Sequence, residues 1–89
     1  MLGLPDEEGR LAILRLHTAR MPTAGVDLAA LAGDTDGLSP ADLKALAQEA
    51  ALAAMTRRRG GESPSVTQDD FVEALGRLRD RSAAGAAVS

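Results

Sequence analysis

Leu38-Ser39-Pro40-Ala41-Asp42-Leu43, continuing as KALAQEAALAAMTRR through Arg58, is the stretch that decides the fold. Ser39 is suited to a helix N-cap and Pro40 to the first helical position, where its missing N–H costs nothing. Asp42 falls at the third position, from which a carboxylate reaches back to the cap as in a capping box. From Leu43 onward, Leu46, Ala47, Ala50, Ala54 and Met55 recur at helical spacing along one stripe. Alanines cover much of what remains, so neighbours can approach this helix closely from more than one side. It is the predicted centre of the molecule.

Working outward, Pro5-Asp6-Glu7-Glu8 opens an earlier helix. Asp6 serves as the predicted cap, and the two glutamates face the positive end of the helix dipole. Leu11, Ile13, Leu14, Leu16 and His17 follow at helical spacing until Met21-Pro22, where proline disfavours helical geometry at the residue before it. Asp27 caps a short helix carrying Leu28, Leu31 and Ala32, and residues 35–37 form a loop. Beyond the long helix, Gly60-Gly61-Glu62-Ser63-Pro64 reads as a flexible loop, with Ser65-Val66 briefly extended. Thr67 caps a last helix, with Asp70 at its third position and Phe71, Ala74, Leu75 and Leu78 in one amphipathic stripe. The expected fold is all-α, a four-helix bundle over residues 1–81 with helices at about 6–20, 27–34, 40–58 and 68–80. Residues 82–89 are expected to be a flexible tail.

Composition narrows the chemistry. Of 89 residues, 18 are alanine and 13 leucine, so the expected core is thin and leucine-based. There is no cysteine, which removes disulfides, thiolate metal sites and cysteine nucleophiles, and a single histidine cannot build a histidine-rich metal site. Net charge −3 argues against a dedicated nucleic-acid binder, and one phenylalanine without tyrosine or tryptophan leaves no platform for stacking bases. No apolar run approaches the length of a membrane span, and the expected class is a soluble, cytoplasmic helical domain. The only lysine, Lys44, lies inside a helix, so no Gly-Lys-Ser/Thr phosphate-binding loop exists and this chain alone is not an enzyme of the NTPase type.

His17 is the only obvious acid–base group, at the edge of an apolar face, and both a structural histidine and a ligand contact fit that position. The pairs Glu7-Glu8 and Asp69-Asp70 begin helices, where dipole and capping account for them. Arg57-Arg58-Arg59 closes the long helix at its negative end, with a subunit contact as the other reading. Arg77, Arg79 and Arg81 read as a solvated end of the last helix.

Taken in order, several segments resemble the C-terminal helical lid of AAA ATPases. They are Pro5-Asp6-Glu7-Glu8-Gly9-Arg10, Ile13-Leu14-x-x-His17-Thr18, Met21-Pro22 and Asp27-Leu28-x-x-Leu31-Ala32. Thr35-x-Gly37-x-Ser39-x-Ala41-Asp42-Leu43, Glu49-Ala50-Ala51-Leu52 and Val66-Thr67-x-Asp69-Asp70-Phe71-x-x-Ala74-Leu75 complete the set. Each is weak alone, and the ordered set covers about residues 4–80. Within the family the pattern is similar to the valosin-containing-protein and proteasome-activating ATPase branch.

The resemblance implies a lid excised from a longer ATPase, packing over nucleotide held by a larger α/β subdomain absent from this chain. It implies ATP or ADP as cofactor through that longer protein, with none held tightly by this chain alone. His17 then lies near adenine and ribose, and Ile13 beside the base. Pro40-Ala41 stands where the family has a Gly-Ala pair that approaches the nucleotide, so the glycine's bare backbone and N–H are lost while Ala41 retains its place. Implied partners are the large ATPase subdomain of the same chain and that of the adjacent subunit in a homo-hexamer, with no nucleic acid and no membrane. The implied role is coupling ATP state to inter-subunit motion in protein unfolding or remodelling. The competing expectation is a free-standing helical interaction module that dimerises through its long alanine-rich helix.

Overall fold

A computed structural model describes residues 3–57 and 65–88. Its elements are α1 (Glu7–Thr18), β1 (Thr23–Ala24), α2 (Leu28–Asp34), α3 (Pro40–Arg57), β2 (Val66–Thr67) and α4 (Gln68–Val88). The four helices lie where the periodicity puts them, and the fold is all-α in character. Arg58, Arg59 and the Gly60–Pro64 stretch lie outside the described residues.

Each helix begins on a side chain chosen for the task. The Asp6 carboxylate accepts from the Gly9 amide at 2.8 Å, and that of Asp27 from the Ala30 amide at 3.1 Å. At α3 the cap is reciprocal. The Asp42 amide donates to Ser39 Oγ and the Ser39 amide donates to Asp42 Oδ2, both at 3.1 Å. The same box recurs at α4, where the Thr67 amide donates to Asp70 Oδ2 at 2.9 Å and the Asp70 amide to Thr67 Oγ1 at 3.3 Å. Aspartate replaces the more usual glutamate in both boxes.

The core is one cluster formed by Leu14, Leu31, Ala32, Leu43, Leu46, Ala47, Ala50, Ala54, Val66, Phe71, Ala74 and Leu78. Phe71 is its largest fully buried side chain. The most extensive helix contact is between α3 and α4, while α1 packs on both α2 and α3. The alanine stripe of α3 is thus spent inside the monomer. Leu16 and Met55 depart from expectation, being 70% and 59% exposed. The buried line of α1 runs Arg10, Leu14, Thr18, four residues apart, which turns Leu16 outward. On α3 the stripe ends at Ala54, and Met55 lies one residue further round.

Two further differences concern the ends of elements. Thr23–Ala24 pairs in parallel with Val66–Thr67, and the Val66 amide also donates to the Pro22 carbonyl at 2.8 Å. Only the extended character of Ser65-Val66 is visible in the sequence. Its partner across the molecule is too short to carry a period. The last helix runs further than the expected 68–80, since α4 continues to Val88. Alanines 83, 84, 86 and 87 have the highest helix propensity of any residue, so the helix propagates past the end of its apolar stripe.

Phe71→Ala should cost about 3–5 kcal/mol, a large share of the stability of so small a core. Val72→Ala, at a position 55% exposed, should cost no more than about 0.5 kcal/mol. Urea unfolding followed by circular dichroism tests the pair, and equal midpoints for the two variants would contradict this packing.

Candidate functional site

The four residues singled out from the sequence occupy two places on the surface of the bundle. Ile13 and His17 sit one turn apart on α1, both half-buried, and Ile13 packs against the core cluster. The His17 imidazole has no hydrogen bond among the described residues. An apolar wall beside an uncommitted ring suits a flat heteroaromatic ligand.

Pro40 and Ala41 open α3 and are both exposed. Ser39 and Asp42 satisfy each other, and the Leu43 amide donates to the Ser39 carbonyl at 3.0 Å. Pro40 has no N–H to offer. Among the described residues the Ala41 amide has no partner, and it lies at the positive end of an 18-residue helix. The carboxylate of Asp42 is used as a cap, as its spacing indicates. Among the described residues no hydrogen bond or ion pair joins the α1 pair to the α3 pair. They are related through the packing of α1 on α3.

The turn from α2 into α3 leads directly into the second pair. Thr35 is fully buried, its hydroxyl donating to the Ala32 carbonyl at 3.2 Å, and the Leu38 amide donates to the Thr35 carbonyl at 3.1 Å. Gly37 adopts φ +87°, a left-handed conformation that a side chain disfavours, and this lets the chain reverse into Ser39.

Arg10 is the residue whose role the sequence conceals. It is 5% exposed, and its Nε donates to the Ala32 carbonyl at 2.8 Å while Nη1 donates to the Pro5 carbonyl at 3.0 Å. Asp36 Oδ1 lies 3.7 Å from Nη1, but its side chain is 92% exposed, so the two charge-assisted bonds to carbonyls dominate. The clue is its place four residues before Leu14 on the buried line of α1. The arginines of α4 also do more than face solvent. Arg79 Nη2 donates to the Asp34 carbonyl at the end of α2 at 2.9 Å, and Arg81 pairs with Glu49 of α3 at 3.0 Å. Arg77 pairs with Glu73 one turn earlier at 2.6 Å. Exposed pairs of this kind add little stability but fix which carboxylate meets which cation. Glu49, Glu73 and Arg77 line a groove of about 540 Å³ between α3 and α4, together with Leu52, Ala53, Thr56 and Asp70.

Comparison with known sequences gives this arrangement a family. The AAA+ lid domain matches residues 25–73, from the turn before α2 into the first turns of α4. The chain belongs to that family. The match includes Pro40, Ala41 and both capping boxes, while Ile13 and His17 lie outside it. Over 75 residues the lid is 52% identical to a proteasome-activating nucleotidase of Pyrococcus horikoshii, covering 84% of this chain and 18% of that protein. It is 51% identical to the Pyrococcus furiosus counterpart over the same shares. It is 44% identical over 88 residues to a cell division cycle protein 48 homolog of Archaeoglobus fulgidus, covering 83% of this chain and 12% of that one. The lid thus spans less than a fifth of the length of these relatives.

Replacing Ser39 or Asp42 of the lid by alanine should cost about 1 kcal/mol each. The double variant should cost clearly less than the sum, because both changes open the same box. Chemical unfolding of the three variants measures the coupling, and strict additivity would show that the two side chains act separately.

Proposed function

We propose that this lid closes part of a nucleotide site formed with a preceding α/β ATPase subdomain and transmits ATP state to neighbouring subunits. Membership in the lid family and identity of about half to proteasome-activating nucleotidases support that reading. The observation that carries it is local: an uncommitted imidazole beside Ile13 and an unpartnered Ala41 amide, on two helices that pack together. Adenine is flat and partly apolar, and ribose and phosphate oxygens accept hydrogen bonds. Ile13 and His17 would hold the base and sugar, and the Ala41 amide would face an oxygen of the same nucleotide. Pro40 gives up one amide at that place and contributes a pre-set helix start. Bound nucleotide supplies the scissile phosphoanhydride, and hydrolysis belongs to the other subdomain.

In the longer ATPase the lid would move as a rigid body, presenting its outer helices to the large subdomain of the adjacent subunit of a hexamer. Protein unfolding or remodelling in the cytoplasm is the proposed setting, in keeping with relatives named as proteasome-activating.

An NMR titration of the labelled chain with ADP, alone and with the large subdomain present, tests this. Shifts at Ile13, His17 and Ala41 are expected only with the nucleotide-loaded subdomain. A silent spectrum there, with a nucleotide-independent dimer in sedimentation, would point instead to a dimerising adaptor. In the full-length ATPase, His17→Ala should raise the KM for ATP by about five- to thirtyfold, equivalent to losing about 1–2 kcal/mol of binding. Steady-state hydrolysis reads this directly.

A further inference from the structure

We infer that Arg10 and Gly9 form a clamp that welds the segment leading into α1 to the amino end of α3, making the two ends of the proposed nucleotide contact one mechanical unit. Three observations meet at this point. First, Arg10 is a buried cation that spends its two described hydrogen bonds on backbone carbonyls from opposite directions, Pro5 before α1 and Ala32 in the last turn of α2. The last carbonyls of a helix lack partners within it and carry its negative end, so a guanidinium fits there better than a neutral donor. Second, Gly9 lies where a side chain would crowd its neighbours. A Cβ there would stand 3.1 Å from Pro5 Cβ and 3.2 Å from Asp6 Oδ1. The bare α-carbon is what lets residues 5 and 6 fold down on the first turn of α1, within reach of Arg10. Third, the link does not stop at Ala32. The same carbonyl accepts from Thr35, whose own carbonyl accepts from Leu38, and the next residue is half of the Ser39–Asp42 box beneath Ala41.

Hydrogen bonds and one covalent step therefore lead from Pro5 through Arg10, Ala32, Thr35 and Leu38 to the Ser39–Asp42 box that flanks Ala41. Under the clamp, a displacement of the incoming segment carries α1, the α2–α3 turn and the start of α3 with it. This rests on the lid reading above, in which the incoming segment comes from the ATPase subdomain. Arg10 and Gly9 are positioning residues, since neither touches the proposed ligand. Spatial continuity alone does not establish coupling, and the test must read transmission as well as stability.

Two variants address the clamp separately. Arg10→Lys keeps the charge but replaces the planar fork with a single nitrogen, so the fixed geometry in which Nε and Nη1 hold Ala32 and Pro5 is lost. Gly9→Ala leaves Arg10 in place and makes Pro5 and Asp6 give by a few tenths of an ångström, while alanine itself favours the helix. Gly9→Ala thus keeps the question open to test if Arg10→Lys does not fold. In spectra of the 89-residue chain, Gly9→Ala should shift amides from Ala32 through Ala41 as well as those near Pro5. In the full-length ATPase each folded variant should lower kcat for ATP by about two- to thirtyfold, the range produced by coupling residues remote from a ligand. The KM should change much less, opposite to His17→Ala. Arg77→Ala, which removes only an exposed pair, is the control and should match wild type. Shifts that stop within the first turn of α1, or wild-type kcat in the folded variants while His17→Ala still raises KM, would overturn the clamp and leave the lid reading standing. If His17→Ala and the ADP titration are also silent, the lid reading falls and the clamp with it.

Discussion

Alanine at 47, 50 and 54 sets how closely other helices approach α3, and the rest of the architecture depends on that distance. These three positions are all but fully buried, spaced so that they fall on one face. With only a methyl group between backbones, Phe71, Leu43 and Leu46 can fill the space that remains, and a single aromatic residue suffices for the whole core. Larger side chains on that face would force the helices apart and leave Phe71 without a matching wall. A chain with 18 alanines stays folded because they are concentrated where close approach is useful.

Close packing of short helices raises a second demand, because every helix end must satisfy its backbone. The solution is repetitive: an oxygen-bearing cap at 6, 27, 39 and 67, with aspartate returning the bond at 42 and 70. The carbonyl end of α2 is met by two arginines, Arg10 at Ala32 and Arg79 at Asp34. Much of the charge that the composition offers to solvent is thus engaged in fixing helix ends. Among the described residues no buried side-chain nitrogen or oxygen lacks a partner.

What the sequence makes legible follows from how far each signal reaches along the chain. Leu43 through Ala54 and Phe71 through Leu78 repeat over several turns, and periodicity locates both helices and their inner faces. Ser39-Pro40 and Thr67 mark helix starts through local chemistry alone. Leu16 and Met55 are misplaced because a leucine or methionine beside a stripe scores as part of it, whereas the packing chooses Arg10 and Ala54. Thr23 and Ala24 pair with residues more than forty positions away, and two residues have no period to show. Arg10 is hidden for the opposite reason. An arginine signals exposure, and only the positions of two distant carbonyls make its burial favourable. At the candidate site the resemblance proposes the residues and the periodicity divides them between two helices, but the unpartnered Ala41 amide is a property of the fold.

That division has a physical consequence. Pro40 and Ala41 are exposed, Ile13 and His17 half-buried, and none of the four belongs to the fully buried cluster. The proposed ligand contacts and the fully buried core therefore fall on different residues. Proline at 40 illustrates the freedom this gives. An internal helix position would not accept it, and a buried contact would suffer from the lost amide. At the first position of α3, with Ser39 and Asp42 already closing the turn, proline gives up one N–H facing outward and keeps the helix start intact. The chemistry presented at the rim of this bundle can vary without loosening the core that holds it in place.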